Sequence, residues 1–232
     1  MANVSKQLAA FCRHDPALLA IAEKVSARLA ATWNSRANRD SPAARYADLL
    51  AAADTAIEEQ KARATVALPC RAGCNHCCQF QRITLTTTEA VLLVRHLEER
   101  TPVEQKTAVI AALLSSSPTG VENPPCAFLT EQGCAVYASR PITCRGYYSL
   151  SESACRAFLA DKRTPPQNLM ATRIVELAVL ETAKAFRHSQ FFEINGLMRR
   201  IYSDPAKPAQ WAAESPTDES DLAIDTKEML GG

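Results

Sequence analysis

The chain has 232 residues, 47% of them apolar, and sets 26 Lys and Arg against 25 Asp and Glu for a formal charge of +1. That length and apolar content are enough for a buried core, so its nine cysteines are not needed as staples for a chain too small to fold. Balanced charge without a dense Lys/Arg block excludes a nucleic-acid patch, and no apolar run reaches bilayer length, which excludes a membrane-spanning helix.

The opening MANVSKQLAAFCRHDP has neither a continuous apolar stretch nor a small-residue cleavage site, so the expected compartment is the cytoplasm. Asp15-Pro16 and Ser41-Pro42 each read as an N-cap followed by proline in the first helical turn. Two helices follow, the second with Tyr46, Leu49, Leu50, Ala53 and Ile57 on one face, and residues 1–65 read as a helical hairpin.

Arg82 to Leu85 alternates polar and apolar side chains and predicts one short strand. Thr86-x-x-Glu89 is a capping box opening a helix with Ala90, Leu93, Val94 and Leu97 on one face, and Thr101-Pro102-Val103-Glu104 starts another. The run from Ser115 to Pro125 breaks regular structure ahead of Cys126. Helical spacing returns beyond Thr164, with Met170, Ile174, Leu177 and Ala178 in one segment and Phe191, Ile194, Met198 and Ile201 in the next. From Glu214 to Gly232 an acidic excess predicts a flexible tail.

The expected fold is mainly α, with helical hairpins packed around a loop-rich cysteine knuckle and at most one short β element. The expected parts are residues 1–65, a cysteine core at 66–160, C-terminal helices at 161–213 and a tail at 214–232, in one compact domain.

Cys70, Cys74, Cys77 and Cys78 put four thiols into nine residues, with Gly73 where the backbone must turn. A packing role does not require that density among Arg71, Asn75 and His76, whereas a thiophilic metal does. Cys126, Cys134, Cys144 and Cys155 form a wider second group threaded through loops. Eight thiols allow two Cys₄ zinc sites, one multinuclear centre, or a [4Fe–4S] cluster with thiols to spare, and soft thiolates exclude magnesium, calcium and manganese. Arg71, Arg82, Arg140, Arg145 and Arg156 are candidates to offset thiolate charge. His76 is read as flanking the donors, while Cys12, His14, His96 and His188 carry no spacing signal.

As one pattern, Cys70-x₃-Cys74-x₂-Cys77-Cys78, Cys126-Ala-Phe-Leu129 and Cys134-Ala-Val-Tyr137-x-x-Arg140-Pro141-x-x-Cys144-Arg145 closely resembles the YkgJ-type cysteine-cluster family. The resemblance covers about Leu68 to Cys155 and implies zinc or iron chelation by these cysteines, with Arg140, Pro141 and Arg145 as motif residues. Flagellin lysine-N-methylases look similar in the same region, but this chain has no glycine-rich nucleotide loop beside it. The first three cysteines also have the spacing of the radical S-adenosylmethionine cluster loop, although the strand–helix repeat of those enzymes is missing.

The favoured reading is a metal-binding protein with a structural or metal-handling centre, because no general base or nucleophile accompanies the thiols. Two alternatives stay open: an iron–sulfur redox enzyme or methyl-transfer component, and an interaction module whose flanking helices bind a protein partner around a structural zinc.

Overall fold

Polar side chains placed just ahead of apolar stripes set most of the helix starts. The structure, a computed structural model of the chain, describes residues 4–35, 41–80, 82–115, 125–184 and 190–224. Helix α1 (Lys6–Phe11) begins on Ser5, whose hydroxyl accepts the Leu8 amide at 3.0 Å. Asp15 accepts the Ala17 and Leu18 amides to open α2 (Pro16–Ser35), and Ser41 accepts that of Ala44 to open α3 (Pro42–Ala62). Strand β1 (Thr84–Thr86) runs into α4 (Thr87–Glu99), where Thr86 and Glu89 cap one another, and α5 (Val103–Ser115) follows.

A small hairpin, β2 (Leu129–Thr130) and β3 (Gly133–Cys134), precedes α6 (Ile142–Gly146), α7 (Glu152–Asp161) and α8 (Met170–Lys184). Strand β4 (Phe191–Glu193), α9 (Ile194–Tyr202) and α10 (Lys207–Ala212) complete the order. The fold is mainly helical, as expected, and no described helix is long and apolar enough to cross a membrane.

Packing sorts the chain into two units that cut across the consecutive segments read from sequence. The first takes residues 1–70 and 142–187, because α8 packs on both α2 and α3 and draws α6 with it. Leu29, Leu49, Ile57, Ile174 and Val179 are fully buried there, each stabilising the unit by roughly 1.5–3 kcal/mol. Gly146 lets α6 approach α8, since a Cβ there would stand 2.7 Å from that of Glu176.

The second unit takes residues 71–141 and 188–232. In it α4 packs on α10 and α5 on α9, with Leu93, Leu97, Leu113, Met198 and Trp211 buried. Strands β1 and β4 pair antiparallel, Leu85 opposite Phe192, and the Ile194 amide extends the ladder to the Ile83 carbonyl at 3.0 Å.

Three expectations are corrected. The strand expected at Arg82–Leu85 lies at Thr84–Thr86, and the described residues form two small two-stranded sheets rather than at most one β element. Phe191, read as helical, belongs to β4; its spacing to Ile194 continues the apolar stripe of α9, but the backbone pairs with β1 instead. Residues 214–224 are not a solvated tail: Glu214 pairs with Arg95 at 2.8 Å, and Glu219, 1% exposed, pairs with Arg200 and Lys207. These cations, brought from elsewhere in the sequence, neutralise the acidic excess. Residues 225–232, His188 and most of the Ser115–Pro125 run lie outside the described residues.

Candidate metal centre

The second unit joins part of each cysteine group, Cys74, Cys77 and Cys78 of the first and Cys126 and Cys134 of the second, through the backbone. Gly73, at φ +86°, turns the chain so that the Cys74 amide bonds the Arg71 carbonyl at 3.0 Å. A single 3₁₀ turn, Cys77–Gln79, then carries the vicinal pair, and the thiols of Cys77 and Cys78 hydrogen-bond each other. The Cys126 amide donates to the Cys78 carbonyl at 2.8 Å, tying the second loop to the first.

Beyond Cys126 the β2–β3 hairpin turns at Gly133, φ +104°, and pairs Leu129 with Cys134. Backbone amides act on a sulfur before the hairpin and on one within it: the N–H of Phe128 lowers Cys126 and that of Val136 lowers Cys134. In each case the donor lies two residues past the cysteine, an arrangement that favours a thiolate.

Burial works the other way. Desolvation pushes the Cys126 thiol up to about 12, with further contributions from the charges of Cys134, Glu193 and Cys77, and it raises Cys134 as well. Cys77 is raised by its bond to Cys78 and by burial. The charges of Cys77, Cys126 and Cys134 thus oppose one another, and an added cation would relieve all three.

Of the candidate arginines, Arg140 acts on this cluster: its charge lowers Cys134 while its guanidinium lies 4.1 Å from the centre of the Tyr137 ring. Arg145 pairs with Asp54 of α3 inside the first unit, and Arg156 pairs with Glu152 on α7 at 2.6 Å. His96 of α4 bonds the Ser139 hydroxyl at 2.9 Å and the backbone of Ala135, bracing the loop that follows Cys134. His14 lies in the turn after α1.

The other sequence-predicted donors belong to the first unit. The Cys70 thiol lies 3.9 Å from the Ser149 carbonyl, Cys144 is half-buried on α6, and Cys155 is buried on α7. Cys12, left out of the site, is a buried residue at the end of α1. Among the described residues, no three His, Cys, Asp or Glu side chains are arranged to hold a metal ion as they stand.

Sequence reasoning missed Asn195. This α9 residue is 2% exposed and bonds the backbone on both sides of Cys126. Its signal was an amide in the buried stripe formed by Ile194, Leu197 and Met198.

Residues 69–164 match the model of a family, CxxCxxCC, described as a putative zinc- or iron-chelating domain. The match covers 96 of the 232 residues. The CxxCxxCC segment contains all eight cysteines of the two groups and leaves Cys12 outside. Metal binding is the property it brings, and the soft donor set of the second unit agrees with it. No curated protein and no solved structure matches the chain.

Proposed function

We propose that this protein is a chelator of zinc or iron, working in the reducing cytoplasm, whose centre is structural or handles metal. Its core donors are Cys77, Cys78, Cys126 and Cys134, with Cys74 in the same loop. The observation that carries the reading is the hydrogen bond from the Cys126 amide to the Cys78 carbonyl at 2.8 Å, which draws the two cysteine loops together. Thiols serving only as packing need no such union, whereas a shared metal does, and the amides of Phe128 and Val136 favour thiolates at Cys126 and Cys134.

A bound zinc would supply a cross-link between the two cysteine loops; iron with sulfide would supply a redox centre instead. The protein's own part is to keep the sulfurs adjacent, point amides at them, and set Arg140 against the residual negative charge. Metal uptake displaces thiol protons, and it stabilises the native state because the unfolded chain has no such site. Cys70, Cys144 and Cys155 remain proposed as further donors of the same chelating pattern.

Anaerobic purification followed by metal analysis, sulfide assay and visible absorption tests the proposal. Stoichiometric zinc or iron is expected, lost in Cys126→Ser and Cys134→Ser and retained in Cys12→Ala. A colourless zinc protein supports the structural or metal-handling centre; a brown protein with acid-labile sulfide assigns an iron–sulfur cluster. Full metal content in both serine variants would sink the chelating role of these thiols. The same measurement on Cys70→Ser, Cys144→Ser and Cys155→Ser assigns the remaining donors.

A further inference from the structure

We infer that Asn195, which lies outside the CxxCxxCC segment, is a positioning residue of the metal centre that fixes the direction in which Cys126 presents its sulfur. The inference rests on the chelating role proposed for Cys126.

The two peptide groups flanking Cys126 have four polar atoms, and each has a partner. The Pro125 carbonyl accepts Asn195 Nδ2 at 3.1 Å, and the Cys126 amide donates to the Cys78 carbonyl at 2.8 Å. The Cys126 carbonyl accepts the Leu129 amide at 3.0 Å, and the Ala127 amide donates to Asn195 Oδ1 at 3.0 Å. With both peptide planes held, the Cα–Cβ bond of Cys126 has a fixed direction. One side chain supplies two of the four bonds.

Asparagine is suited to the task because it combines one donor and one acceptor on a short stem. An aspartate lacks the donor, and a glutamine sets the same groups one methylene further out. The residue itself is rigidly held. The Glu193 carboxylate accepts the Asn195 and Gly196 amides at 3.0 and 2.6 Å, and β4 just before it is registered against β1. An amide buried among Ile194, Leu197 and Met198 is costly unless paired, and its pairing here is spent entirely on the peptide groups around one thiol.

The test uses the full chain loaded with Zn(II) or Co(II). Asn195→Ala and Asn195→Thr are compared with Met198→Ala, a cavity in the same helix at a position 0% exposed and without polar contact to the loop. Competition with a chromophoric chelator should show Zn(II) held about 10–100-fold more weakly in both Asn195 variants. Their sulfur-to-Co(II) charge-transfer absorption per bound ion should also fall, while Met198→Ala keeps wild-type affinity and spectrum despite its lower stability. Threonine retains most of the volume and one polar arm, so the comparison survives if Asn195→Ala does not fold. Wild-type affinity and spectrum in Asn195→Thr, or losses no larger than in Met198→Ala, would overturn the inference. Cys126→Ser, run alongside, separates the two ideas: undiminished Zn(II) binding there refutes the chelating role of Cys126 itself.

Discussion

Removing the two halves of the Arg145–Asp54 pair should have unequal effects, and the inequality reports what this motif arginine does. The Arg145 side chain is 9% exposed and that of Asp54 45%. Asp54→Asn removes a charged partner from a nearly dry guanidinium, and breaking one side of a fully buried pair costs about 3–5 kcal/mol. Because water reaches the Asp54 side and the new amide still accepts one hydrogen bond, a loss of about 2 kcal/mol is expected here. Arg145→Met removes the charge, keeps an apolar stem in place, and leaves a carboxylate that water can solvate, for a loss of about 1 kcal/mol. Urea denaturation with and without excess chelator measures both losses, and metal analysis accompanies it. Both variants should keep full metal stoichiometry. If Arg145→Met were the more damaging, or lost metal while Asp54→Asn kept it, Arg145 would be serving the thiols and the structural assignment would be wrong.

Arg140, whose charge reaches Cys134, should behave in the opposite way: Arg140→Gln weakens Zn(II) binding several-fold in chelator competition but costs less than about 0.5 kcal/mol of metal-free stability. Gly133→Ala should cost about 1–2 kcal/mol through its left-handed backbone alone, since no atom lies within 4 Å of the added Cβ; an unchanged urea midpoint would refute that turn geometry. Glu219→Gln removes the carboxylate, 1% exposed, that Lys207 and Arg200 share, and should speed limited proteolysis within 214–224, with a loss of about 2 kcal/mol that falls mostly on Lys207 because Arg200 keeps Asp221. Asp221→Asn, at a carboxylate 61% exposed, should leave the cleavage pattern unchanged.

Local features of the fold were legible in the sequence. The caps at Asp15, Ser41 and Thr86 involve residues within a few positions of one another, so spacing alone reveals them. The cysteine groups were legible by density, and the union of Cys78 with Cys126 is the backbone counterpart of that reading. What stayed hidden depends on distant partners. Phe191-Phe192-Glu193 extends the periodicity of α9 and becomes a strand only because Thr84–Thr86 lies opposite. Glu219 reads as solvated until Arg200 and Lys207 surround it, and Arg145 reads as a thiol counter-ion until Asp54 of α3 lies beside it. Asn195 showed only as an amide beside the apolar stripe of α9, and the approach of Pro125 and Ala127 that gives it a task leaves no trace in spacing.

The course of the backbone limits how this chain can be cut. A fragment holding only 69–164 would keep every thiol of the pattern while losing α8, on which α6 packs, and α9, which brackets Cys126. Grafting the cysteine stretch onto a foreign scaffold would therefore transfer the ligands without their buttresses. An engineer would have to supply substitutes for both, or else transplant the polypeptide from α2 through α10.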